Sequence, residues 1–323
     1  MSIPTLRRPL FWLAERALPG LDRERVWRRV DQEAPRAGEV TLEHRIAEAL
    51  RPLHPLVATV TLAVFVAGVW LVWAGGPRLS ARALAAGHPL LALATPLLLG
   101  MLAHGLFGAV VHEGTHGNLY GARADGWLSN AAVGLLLLPF AAETYQHFHR
   151  VHHKLVLRAT DPNWTTLRQR LLERSRLLYA LYELLPIVNN LDRLGHKSRR
   201  DPRKVALAWA MALLVVALLR PPPLYCLAVI VGLNTTNAVR LWTEHFGYWR
   251  GVSANVYYCP LGYGIGNHEL HHTDPRVPAL ALWLGLALRE KTGSLLWAPW
   301  RLLVDPAYGA FRAAQPDFDG SNV

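Results

Sequence analysis

Four apolar stretches divide the chain. Pro55 to Ala74 runs for twenty residues without a charge, long enough to cross a hydrocarbon core of about 30 Å. Pro89 to Val111 is a second, polar only at Thr95 and His104. Val205–Leu219 and Leu224–Val239 are shorter and are separated by Arg220 and the run Pro221-Pro222-Pro223. Successive prolines cannot continue a helix, so this pair reads as a helical hairpin whose second arm runs on through Arg240 to His245. A fifth segment, Trp127 to Ala142, would reach only about 24 Å as a helix, and is expected to be half-immersed or re-entrant. Polar and apolar positions alternate in Leu167–Leu185 and Leu280–Leu303, with Arg168, Arg170, Glu173, Arg174 and Arg176 in the first. That pattern predicts helices lying on the membrane surface. The N-terminal MSIPTLRRPLFWLAERALPG, whose apolar positions recur between arginines, predicts another.

The pattern thus predicts an all-α integral membrane protein, with four transmembrane helices in two hairpins and a cytoplasmic helical cap. One domain is expected over 1–323. Residues 1–53 form a cytoplasmic or interfacial region, 54–111 the first hairpin, 112–203 a cytoplasmic segment, 204–245 the second hairpin and 246–323 a last cytoplasmic and interfacial segment.

Composition agrees. Of 323 residues, 52% are hydrophobic and only 18% charged, with mean hydropathy +0.16, where a soluble domain averages about 25% charged. Twelve Trp and ten Tyr suit a membrane boundary. Two cysteines, Cys226 and Cys259, exclude a disulfide scaffold and a cysteine-ligated cluster. The net charge of +11 would by itself suit nucleic acid, but the layout of the charges points elsewhere. The large segments 1–53, 112–203 and 246–323 carry 29 Lys+Arg, against 3 in the short connections (Arg78, Arg82 and Arg220). This excess places the large segments, and both termini, in the cytoplasm, leaving nucleic acid a minor option. Thirty Arg against four Lys suggests a GC-rich bacterial gene and hence a bacterial inner membrane.

Fifteen histidines are placed unevenly. His112-Glu-Gly-Thr-His116 is an i,i+4 pair on one helical face. His149-Arg-Val-His152-His153, preceded by His147, and His268-Glu-Leu-His271-His272 each converge three rings on one side of a helix. His245, after Glu244, closes the last crossing. His44, His54, His88 and His196 read as ordinary boundary residues. The nine candidates all fall on one side of the membrane at similar depth, where ionisable groups mark function. Nine imidazoles exceed what one ion takes, so two metals are implied. Spacing does not choose among iron, zinc, copper and nickel. His112–His116 also satisfies HExxH, a zinc-protease signature with Glu113 as base. That rival leaves six histidines of the other two groups unexplained. A non-enzymatic metal or haem carrier is a third reading.

HEGTHG, HRVHH and HELHH resemble the three histidine boxes of the membrane fatty acid desaturase-like superfamily, which includes alkane and fatty acid hydroxylases and carotenoid ketolases. The resemblance runs from about Pro55 to Pro278. It implies a non-haem di-iron centre that uses O2 and two electrons against an unactivated C–H bond. By position it implies as ligands His112 and His116, then His149, His152 and His153, then His268, His271 and His272. The stretch Arg240-Leu-Trp-Thr-Glu244-His245 resembles the segment carrying an extra histidine, His245. The first box with Gly117 and the NHELHH third box resemble desaturases, whereas Glu244-His245-Phe246-Gly247 and Ala159-Thr160-Asp161-Pro162 resemble alkane hydroxylases.

Ligating histidines normally donate their other N–H to a carboxylate or carbonyl. Glu113, Glu143, Asp161, Glu244, Glu269 and Asp274 are candidates, with His147 beside the second box. Tyr145, Trp164, Trp242 and Tyr263 are candidate channel linings. The expected activity is desaturation (or acetylenation) of a fatty acyl or other long-chain lipid, with hydroxylation or ketolation as the alternative. No haem insert, nucleotide fingerprint or iron–sulfur ligand set is present, so electrons are expected from an external ferredoxin, rubredoxin or cytochrome b5-type donor and its reductase. The basic face around Arg150, Arg199, Arg200 and Arg203 suits such a donor, or lipid headgroups.

Overall fold

The computed structural model describes residues 40–155, 161–163, 166–185, 200–244 and 268–287. Helix α1 (Leu42–Leu50) passes through a 3-10 turn (Arg51–Leu53) into α2 (His54–Trp70), a π turn (Leu71–Gly75) and α3 (Gly76–Ala85). Together they make one 44-residue rod, Leu42–Ala85, about 66 Å long at 1.5 Å per residue. That is about twice a hydrocarbon core, so the rod projects beyond it. The expected connection of 75–88 is therefore mostly helix. Pro77 falls in the first turn of α3, where its missing N–H is not needed. The wide turn ahead of it, closed by the Gly76 N–H on the Leu71 carbonyl, accommodates the ring.

Helix α4 (Pro89–Leu106) continues through a π turn (Phe107–His112) into α5 (Glu113–His116). Box one therefore lies on the helical continuation of the second apolar stretch. Gly117 ends this helix in the left-handed region, at φ +80. Its N–H reaches the Gly114 carbonyl at 3.2 Å, and that of Asn118 reaches Glu113 at 3.1 Å, a glycine-dependent stop.

Next come α6 (Ala122–Leu135), α7 (Thr144–Leu155), α8 (Thr166–Arg174), α9 (Arg176–Leu184), α10 (Pro202–Leu219), α11 (Pro223–Glu244), α12 (His268–Thr273) and α13 (Ala279–Ala287). Four helical stretches among the described residues are long and apolar enough to cross a membrane: Leu42–Ala85, Pro89–His116, Pro202–Leu219 and Pro223–Leu241. They expose leucines and valines such as Val64, Leu98, Leu213 and Leu227, as a lipid-facing surface should.

Apolar faces alone attract helices weakly in lipid, so close backbone contact decides the pairing. A Cβ at Gly100 would collide with the Val229 carbonyl, and one at Gly232 with the Leu97 carbonyl. Helices α4 and α11 thus lie backbone to backbone. Gly134 does the same for α6 on the Ala208 carbonyl of α10. The two arms of the second hairpin accordingly take different main partners. Helix α6 packs on α10 and on the end of the second span, and side chains tether it to the first rod, with the Tyr120 hydroxyl 2.9 Å from Thr59 Oγ1 at one end. At the other end Trp73 Nε1 donates to the Leu135 carbonyl at 2.9 Å. A 3-10 turn (Pro139–Ala141) then brings the chain back to Glu143, beside Asn130. At the opposite ends of the spans from the histidines, Tyr225 donates to the Val72 carbonyl at 2.8 Å and Ser80 to Ala92 at 2.6 Å.

Helices α8 and α9 depart from the surface helices expected over Leu167–Leu185. Arg168, expected on a polar outer face, is fully enclosed against Glu183. Helix α9 is tied to α11 where Asn234 Nδ2 donates to the Glu183 carbonyl at 2.8 Å. Its outer side is the apolar one, with Leu177, Leu178 and Leu181 exposed.

Candidate metal centre

Three segments deliver their histidines to one place. His112 ends the π turn of the second span and His116 follows one turn later. Their ring centroids are 5.1 Å apart. Helix α7 presents His149, 4.5 Å from His112, and His153, 4.7 Å from His116. Helix α12 presents His271, 4.6 Å from both His112 and His153. The ligand atoms of these five lie within 4.8 Å of one another. His272 stacks on His153 at 4.2 Å and meets His152 at 5.1 Å and His268 at 4.6 Å. All eight box histidines therefore form one contiguous cluster, a group of five with a group of three against it.

The nitrogens face one another. His149 Nε2 lies 2.9 Å from His116 Nε2 and 3.0 Å from His153 Nε2, and His268 Nε2 lies 3.1 Å from His272 Nε2. Nitrogens at about 2.1 Å from a shared ion sit about 3.0–3.4 Å apart, depending on the coordination angle. His271 is completely buried, and neither of its ring nitrogens has a hydrogen-bond partner among the described residues. A buried orphaned imidazole costs free energy unless something accepts its lone pair. Burial first, and the neighbouring imidazoles second, hold the pKa values of His149, His153 and His271 well below the ordinary 6.5. The charge of Arg240, buried in α11, adds to the effect on His153. These rings are neutral at pH 7, as metal ligation requires, and the five converging rings fit a metal site.

Carboxylates hold the outer nitrogens of two rings. Both oxygens of the buried Asp161 lie on His152 Nδ1, at 3.0 and 2.9 Å. Glu113 Oε1 lies 3.1 Å from His112 Nδ1. Glu113 Oε2 accepts from Asn118 Nδ2 at 3.3 Å and from the Ala279 N–H at 2.8 Å. Asn118 also donates to the Pro275 carbonyl at 2.9 Å. The loop after box one is thereby fastened to the segment after box three.

Three expected partners lie elsewhere. Glu143, in a left-handed backbone conformation at φ 58, accepts from Asn130 at 2.8 Å and pairs with Lys204 at 3.3 Å. It closes the return of α6 onto α10 instead of touching a histidine. His147 is exposed, because its position points it to the opposite side of α7 from His149. Asp274 pairs with Arg276 at 3.1 Å and His44 at 3.5 Å, an anchor for α1. His245 and the side chains of Glu244 and Glu269 lie outside the described residues, as do Trp164, Tyr263 and the Trp242 side chain. Tyr145 stacks parallel on His149 at 5.2 Å and packs edge-on against Phe107 at 4.6 Å.

Asn118, Asn163 and Arg168 went unpredicted. Asn118 directly follows the HEGTHG motif, and a helix-terminating Gly before an amide is the signal that points to it. Arg168 was hidden by its place in an alternating, basic stretch.

Residues 86–284 match the fatty acid desaturase family. No curated protein and no solved structure matches the chain.

Proposed function

Because the chain belongs to the fatty acid desaturase family, we propose that it is an O2-dependent di-iron oxidase of a long lipid chain, and that its reaction is desaturation of a fatty acyl group. The family supports an oxidoreductase that works in a membrane, and a metal-dependent one. The observation that carries the metal reading is His271: a buried imidazole without a hydrogen-bond partner among the described residues, inside a set of five converging rings.

His112, His116, His149, His153 and His271 would hold one side of the centre, and His152, His268 and His272 the other, with His245 as a ninth ligand. When bound, the iron pair supplies the oxidant that removes hydrogen from an unactivated C–H bond. Desaturation takes two hydrogen atoms from the chain, that is, two protons and two electrons. Two further electrons and two protons from outside complete the reduction of one O2 to two waters. The protein's own residues set the geometry: Asp161 and Glu113 fix the His152 and His112 rings, while the spans keep the site at an apolar boundary where water is scarce. The excess of positive residues supports a cytoplasmic position for this side. The exposed Arg150, Arg200 and Arg203 suit an acidic one-electron donor such as a ferredoxin.

The metalloprotease reading is weaker. Its base would need to face a metal-bound water, yet Glu113 is buried between Nδ1 of His112, Asn118 and Ala279. The test is iron content, reductant-dependent oxygen uptake and the mass of lipids from an expressing host. About two iron per chain and a product two hydrogens lighter are expected. A product heavier by one oxygen would make the protein a hydroxylase. One zinc per chain, without oxygen uptake, would overturn the oxidase.

A further inference from the structure

Arg168 and Glu183 are 0% and 1% exposed, with Nε and Oε1 3.0 Å apart. An enclosed ion pair is a poor source of stability, since apolar residues of similar volume often serve as well or better. Its neighbours suggest another use. Arg168 Nη1 donates to the Asn163 carbonyl at 3.1 Å. The Asn163 backbone N–H donates to Asp161 Oδ1 at 2.8 Å, and Asp161 lies on His152 Nδ1 at 2.9 Å. On the other side, Asn234 of the fourth span donates to the Glu183 carbonyl at 2.8 Å. An unbroken ladder of polar contacts thus runs from a membrane span to a box histidine.

We propose that Arg168 is a positioning residue: paired with Glu183, whose backbone is tied to α11, its guanidinium holds the 161–163 turn, and through Asp161 it sets the orientation of the His152 ring. The proposal rests on the reading of the boxes as metal ligands. A guanidinium suits the task because its rigid fork offers donors in two directions at once. One edge takes the carboxylate of α9 and the other the carbonyl of the turn. Glutamate at position 168 could pair with an arginine at 183, but it has no proton to give Asn163.

That asymmetry supplies the test, made on the full-length protein in detergent. Arg168→Met, Asp161→Asn and the charge swap Arg168→Glu with Glu183→Arg are compared for melting temperature and for resistance of bound iron to ferrozine. The visible bands of the Co(II)-loaded proteins provide a spectroscopic signature. Arg168→Met should lower the melting temperature and make iron about tenfold easier to strip, the low end of what partners of ligating side chains contribute. Asp161→Asn should do the same to the iron, and both should alter the Co(II) bands. The swap should restore the melting temperature but leave the iron labile and the bands altered. Recovery of iron retention by the swap would overturn the proposal, as would an Arg168→Met protein that melts early yet holds iron normally. If Arg168→Met fails to fold, the swap decides alone. A wild-type protein that binds no metal would overturn the metal reading itself, and this proposal with it.

Discussion

Glu113 accepts the backbone N–H of Ala279 at 2.8 Å across 166 positions of chain. One carboxylate therefore orients His112 and caps the start of α13, joining box one to the segment that follows box three. Truncation leaves the Ala279 donor and an edge of His112 without this acceptor. Glu113→Ala should destabilise the protein by about 1–3 kcal/mol, the usual cost of orphaning a buried polar group. Thermal melting of the purified variant measures it, and iron content should fall in parallel. A fully stable Glu113→Ala protein that keeps its iron and loses only activity would instead mark Glu113 as a chemical base.

The histidine cluster sets a direction for pH. His149, His153 and His271 have folded-state pKa values below the ordinary 6.5. Below pH 6.5 the unfolded chain therefore binds protons that the folded chain refuses, and stability falls with acidification. Iron-stripped protein should melt at a steady temperature above about pH 7.5 and progressively lower from pH 6.5 toward pH 5. His271→Asn should flatten that slope. A melting temperature that rises on acidification would contradict the burial of these rings.

The contact between spans two and four makes a packing prediction. Gly100 and Gly232 each face the other helix's backbone, which cannot move aside as a side chain can. Gly100→Ala and Gly232→Ala should each cost about 1–3 kcal/mol, as overpacking does. Leu213→Ala, on a surface 64% exposed, should cost little in the same melting assay. Equal effects at all three positions would mean that α4 and α11 are not in backbone contact.

Much of this architecture was legible because it is periodic. A run of twenty uncharged residues has few options other than a span, and i,i+3,i+4 spacing puts His149, His152 and His153 on one face whatever surrounds them. Contacts between distant positions leave no such trace. The alternation in Leu167–Leu185 reads Arg168 as solvated, since its partner Glu183 lies on a separate helix beyond the break at Ser175. Asp274 and Asp161 look alike in sequence, yet Asp161 meets His152 while Asp274 turns to Arg276. The hairpin connection at 75–88 misled for a local reason: Gly75, Gly76 and Pro77 read as a break, but the proline sits where a helix tolerates one.

The last prediction concerns why box one carries a glycine within its helix. Gly114 would cost about 1 kcal/mol relative to alanine on propensity alone, so alanine there ought to be stabilising. A Cβ at this position, however, would collide with the Ser129 hydroxyl and press on Asp125 of α6. Ser129 in turn donates to the Val111 carbonyl at 3.4 Å, and Asp125 accepts the backbone N–H groups of Leu119 and Tyr120, both at 2.8 Å. Pressure from the added methyl group would thus push on the loop that ends box one. Gly114→Ala should lower the melting temperature and the iron content together. Ser129→Ala, which removes the colliding oxygen at the loss of one long hydrogen bond, should be nearly neutral alone and should restore much of what Gly114→Ala loses. A double-mutant cycle reads this coupling directly. Strictly additive effects of the two substitutions would show that α5 and α6 do not approach each other at this point.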